Sequence, residues 1–205
     1  MVSLVIAVSL LTRGEAALSP IADRDWQVRL VNRDAIAERL SQELQSYDAA
    51  LARQDDAAAR RHLLRARNGL MAALERGPGD GHRWALLADV ERRLFGPTPT
   101  VLRYLGLSRR TAPLELETVK LRIQLGFSVW RSLPASVRDA TMADVAKYLA
   151  DPARHHRTVP YLADIARLQG EAERAITRGA IEQWAPKYLR SFDLHVAAKP
   201  APKAH

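Results

Sequence analysis

Five stretches of this 205-residue sequence carry side chains of the types and spacings that could do chemistry. Gly77, Gly79 and Gly81 make a glycine-rich turn ahead of a helix, where free backbone amides can receive a phosphate. A dinucleotide fingerprint follows a strand, however, and the residues before Gly77 are patterned as a helix. The turn therefore reads as a cap and a tight interhelical connection. His155 and His156 lie between Arg154 and Arg157, in a polar stretch bounded by Pro152 and Pro160. Adjacent loop histidines rarely point the same way, and Asp151 is the one carboxylate near them. A solvated basic loop is expected there, with no metal. Glu115/Glu117 and Glu171/Glu173 are two apart at helix starts, so each pair straddles its helix and complements the dipole. Arg60, Arg61, Arg65 and Arg67 form the densest basic cluster and read as a solvated helix face. No serine sits in a nucleophile elbow, and no histidine has an evident partner. The expectation is a non-enzymatic protein without catalytic residues, metal or cofactor.

The totals agree with a soluble helical chain. Hydrophobic residues make up 47% and charged residues 26%, and Ala, Leu, Arg and Glu outweigh the β-branched types. There is no cysteine, so disulfides, thiolate metal sites and cysteine nucleophiles drop out, and the redox compartment stays open. The formal charge of +8 comes mostly from arginine spread along the chain. Such a surface can attract polyanions, but aromatic residues do not interleave with the basic ones as a single-strand binder requires. No specific nucleic-acid partner is expected.

The elements that must position these residues follow from periodicity. Residues 1–16 read as a signal peptide or membrane-anchor remnant, with an apolar run at 2–11 and small residues at Gly14 and Ala16 that suit cleavage after Ala16. No Lys or Arg precedes that run, so the expectation is either a misplaced start with basic residues upstream or the end of a longer anchor. Residues 17–32 form a connector around Trp26. Ile36, Leu40, Leu44, Tyr47 and Leu51 then mark one helix face. Asp55 and Asp56 start a second helix carrying Leu63, Leu64, Leu70, Met71 and Leu74, which ends at Gly77, suited to a left-handed residue, and Pro78. Asp80 caps a third, and Thr98-Pro99 starts a fourth. The stretch 114–130 alternates like a strand yet also fits a helix face at Leu116, Val119, Ile123, Phe127 and Trp130. A lone strand leaves its ladder unmet, so a helix is predicted, apolar most of the way round and therefore central. Later helices are expected after Pro134, from Thr158-Pro160 and from Glu171, with a disordered tail at 196–205. The result is an all-α fold of antiparallel hairpins, seven or eight helices forming one domain over 33–195.

Ala66, Leu70, Ala73 and Pro78, followed by Trp84, Leu87 and Ala88, resemble a tetratricopeptide repeat running into the next, and Pro113 ends the second hairpin. Small residues at those positions let helices approach closely while Trp and Leu fill the space between. Glu91 departs from the pattern, standing where an aromatic residue is usual. The resemblance implies that the first helix of the second hairpin lines a partner-binding groove with His82, Ala85, Asp89, Arg92 and Arg93. Residues 121–138, through Leu125, Gly126, Trp130, Leu133, Pro134 and Arg138, are also similar to a segment of VpsP-like exopolysaccharide-biosynthesis proteins. That similarity implies a tetratricopeptide-like α-α superhelix in the bacterial envelope. It would sit in the periplasm or on the periplasmic face of the inner membrane, contacting proteins of polysaccharide synthesis or export. A cytosolic interaction module and a basic polyanion binder are the alternatives.

Overall fold

The computed structural model describes residues 33–167 and 170–198, all of them helices and short connections. The segment 1–16, the connector with Trp26, the side chain of Ile36, Leu168 and the chain beyond Ala198 lie outside the described residues. Nine α-helices are present among the described residues, in the order α1 (Arg33–Ala52), α2 (Asp56–Arg76), α3 (Gly81–Phe95), α4 (Pro99–Thr111), α5 (Leu116–Ser128), α6 (Ala135–Leu149), α7 (His155–Arg167), α8 (Glu171–Trp184) and α9 (Leu189–Ala198). The fold class is all-α, and the chain divides into two compact units, Met1–Thr111 and Ala112–His205, within what the pattern joined as one domain over 33–195. The ninth helix is α9. Its extent to Ala198 carries helical structure past Val196, where the sequence placed the start of a disordered tail.

In the first unit each helix packs on its neighbour in the chain, α1 on α2, α2 on α3 and α3 on α4. Alanines make this possible at the tip of the first hairpin, where Ala50, Ala58 and Ala59 are buried beneath Tyr47 and Leu51. The turn there is formed by Gln54 at φ 58°, and Asp55 caps α2 by accepting the Ala58 amide at 2.8 Å. Ala66, Leu70 and Ala73 of α2 and Leu87 and Ala88 of α3 are all buried. Gly77 has φ −140°, so it is not the left-handed residue expected; among the described glycines the positive φ belongs to Gly96, at 77°. The α2–α3 turn closes by another route. Trp84 donates its indole N–H to the Pro78 carbonyl at 2.8 Å and packs on Tyr104, with ring centroids 5.4 Å apart. Asp80 accepts the Arg83 amide at 3.0 Å.

In the second unit α5 is a helix, as predicted for 114–130, with Thr118, Val119, Leu121, Arg122, Ile123, Leu125, Gly126 and Phe127 all buried. It ends in a 3-10 turn, Trp130–Ser132, and α6 follows from Pro134. Helix α7 starts at His155, earlier than Thr158-Pro160, and carries Pro160 inside it. The 3-10 turn Pro152–Arg154, capped by Asp151 accepting the Ala153 amide at 3.0 Å, hands the chain straight into it.

Candidate functional site

The residues predicted to line a groove lie on α3, and three of them, Asp89, Arg92 and Arg93, are partners of one another. Every residue from Ala85 to Glu91 is buried, so two carboxylates, Asp89 and Glu91, enter the interior of this unit. A buried carboxylate must find hydrogen-bonded cations, and both do. Asp89 Oδ1 accepts from Arg92 Nη2 at 2.8 Å and Oδ2 accepts from Arg93 Nε at 2.8 Å. Arg93 also lies over the Tyr47 ring of α1, 5.3 Å from its centroid. Burial works against the Arg93 charge, but Asp89 and Tyr47 outweigh it and hold the guanidinium above its ordinary pKa. Burial raises the Asp48 carboxyl above its usual value, against the pull of Arg93. Ala85 is fully buried and His82 is half-buried in the first turn. Asp89 therefore offsets one of the two positive charges that the resemblance would present to a partner. A charge reversal at Arg92 and Arg93 would set new carboxylates beside Asp89, so its effect on binding must be read together with folding.

Glu91, the departure from the repeat pattern, has a physical reason. Arg67 of α2 donates Nε–H to Glu91 Oε1 at 2.7 Å, and the Glu91 side chain is 4% exposed. An ion pair joins the two hairpins where an aromatic ring would otherwise fill the space. Arg67 thus belongs to the α2–α3 contact and not to the solvated cluster of Arg60, Arg61 and Arg65. Replacing Arg67 by Ala strands a buried carboxylate and should cost about 2 kcal/mol in urea unfolding. Arg67→Ala/Glu91→Phe should recover most of that loss.

Two further features of the second unit escaped the sequence reading. Arg122 on α5 and Asp144 on α6 are completely buried and form a two-pronged pair, Nε to Oδ2 at 3.0 Å and Nη2 to Oδ1 at 3.1 Å. Nη1 of the same guanidinium donates to the Ala112 carbonyl at 2.9 Å. His155 is buried as the first residue of α7, not exposed in a polar loop. Its Nε2 lies 2.7 Å from the Leu149 carbonyl, which can only accept, so the proton sits on Nε2. The Tyr188 ring meets the imidazole edge-on at 5.2 Å. His156 is exposed. Histidine and carboxylate side chains converge nowhere among the described residues in a group of three or more able to hold a metal.

Glu173 is more than a dipole complement for α8. Its Oε1 accepts from Arg131 Nε at 2.9 Å, tying α8 to the turn between α5 and α6. That hydrogen bond, with one from the backbone, holds the Glu173 carboxyl below its ordinary value of 4.5. A depressed carboxyl contributes stability that is present above the unfolded value and is lost as pH falls through the folded one. Arg131→Gln should therefore be less stable than the parent protein at neutral pH. The two urea midpoints should converge as the pH drops below about 4.5.

The residues that carry the similarity over 121–138 form one packing unit. Leu125 and Leu133 are buried, and Trp130 stacks on Phe127 at 5.1 Å with the Arg138 guanidinium 5.8 Å from its ring. Pro134 caps α6. Pro78 and Pro113 are exposed, where the chain turns. These observations define an all-α protein in which buried charges tie helix to helix within each unit. Comparison with protein-family models, curated proteins and solved structures found no match. No described helix is long and apolar enough to cross a membrane.

Proposed function

We propose that the chain is a non-enzymatic helical scaffold of the bacterial envelope, assisting exopolysaccharide biosynthesis or export through contacts with other proteins. One observation carries the scaffold reading: the helices of the first unit pack in chain order, each on the next, the arrangement by which helical repeats present extended surfaces. The envelope and the pathway rest on the signal-like residues 1–16 and on the similarity of residues 121–138 to VpsP-like proteins. Cell fractionation with amino-terminal sequencing tests the reading. The expected result is protein in the envelope fraction beginning at Ala17. Intact protein starting at Met1 in the cytosol would refute the envelope assignment. Cross-linking in the envelope that yields no protein adduct would refute the scaffold.

A further inference from the structure

Two sets of arginines on α2 and α3 differ in what they hold. Arg67, Arg83, Arg92 and Arg93 each hold a carboxylate within 3.2 Å. Arg60 and Arg61 are exposed on α2 and have no carboxylate partner among the described residues, while Arg65 reaches only Glu43, at 4.0 Å, and remains 62% exposed. Arg60 and Leu64 are one turn apart, as are Arg61 and Arg65, so the four share the outer face of α2. Leu64 is 36% exposed. The antiparallel run of α3 brings Phe95, half exposed at 50%, beneath Arg60, whose guanidinium lies 5.7 Å from the ring centroid. Asp56, at the start of α2, is the acidic residue one turn before Arg60.

From this juxtaposition we infer that the outer face of α2, with Phe95 of α3, is a docking surface for an acidic amphipathic segment of a partner protein. The inference rests on the scaffold reading and specifies where a partner binds. Two exposed apolar side chains set among exposed arginines present what such a helix needs, apolar anchors flanked by carboxylate-binding forks. Arginine and aromatic residues are the types enriched at protein interfaces, and an exposed phenyl ring under a guanidinium is a strong candidate for an anchor. The surface lies apart from the α3 stripe, where Asp89 already occupies Arg92 and Arg93.

The test uses the full chain and a fluorescein-labelled helical peptide with Leu at i, i+3, i+4 and i+7 and Glu between them. A scrambled peptide of the same composition and phosphatidylglycerol vesicles serve as competing probes. The amphipathic peptide should bind more tightly than the scrambled one. Arg60→Glu/Arg61→Glu and Phe95→Ser should each weaken it by about tenfold or more, with circular dichroism unchanged. Arg110→Glu, an exposed arginine on α4, should change affinity by no more than about twofold. Equal binding of the scrambled peptide, insensitivity to Phe95→Ser, or binding to vesicles in place of the peptide would each overturn the inference. An envelope cross-link that forms equally with wild type and both variants would also remove this surface, while leaving the scaffold reading intact.

Discussion

Arg122→Met should destabilise the second unit by about 3 to 5 kcal/mol, enough to shift its urea transition well clear of the parent curve. Asp144, 1% exposed, would keep Lys147 Nζ only at 3.9 Å, on a side chain that is itself 39% exposed. Asp144→Leu should cost a similar amount, because it leaves the guanidinium charged and buried without its carboxylate. Arg122→Met/Asp144→Leu separates this explanation from simple loss of packing. With both charges gone the desolvation penalty disappears, and the double variant should recover most of the loss. It should still fall about 1 to 3 kcal/mol short of the parent, because the Ala112 carbonyl loses the Arg122 donor. Strictly additive single losses would show that the two charges are not coupled.

That pair also marks how far the sequence could be read. Helix α5 was legible because Val119, Ile123 and Phe127 keep a helix spacing, and a lone strand had no partner. The same reasoning required burial most of the way round, and Arg122 lies between Leu121 and Ile123 in the middle of that helix. A buried arginine needs a carboxylate, so the demand was visible. The supplier was not, since Asp144 lies 22 residues away on another helix. The pairing within the α3 stripe was hidden for a related reason. Repeat spacing placed His82, Ala85, Asp89, Arg92 and Arg93 together, but spacing along one helix does not say which neighbour covers it. Tyr47 of α1 approaches Arg93, and Asp89 turns back on its own helix. Caps read well where one local interaction decides them, as at Asp55 and Asp80. His155 read poorly, because what fixes it is a carbonyl at the end of the preceding helix.

Gly126→Ala is expected to destabilise, although an alanine inside a helix ordinarily gains about 1 kcal/mol over glycine. A Cβ at Gly126 would stand 2.5 Å from Thr141 Cγ2 and 2.6 Å from Thr141 Oγ1, closer than side chains tolerate. Thr141 cannot swing away freely, since it is fully buried on α6 and its hydroxyl donates to the Val137 carbonyl at 2.9 Å. Helices α5 and α6 must therefore separate, or the threonine must leave its rotamer, at about 1 to 3 kcal/mol. Thr141→Ala removes both offending atoms and leaves a Cβ 3.2 Å away, so Gly126→Ala in that background should be close to neutral. The double-mutant cycle should show coupling of about 1 to 2 kcal/mol in thermal or urea unfolding. Gly126→Val should be worse than Ala in either background, because a branched side chain fills more of the same gap. A stabilising Gly126→Ala in the parent protein would mean that α5 and α6 do not approach closely at this point. Gly126 would then need a reason other than helix packing.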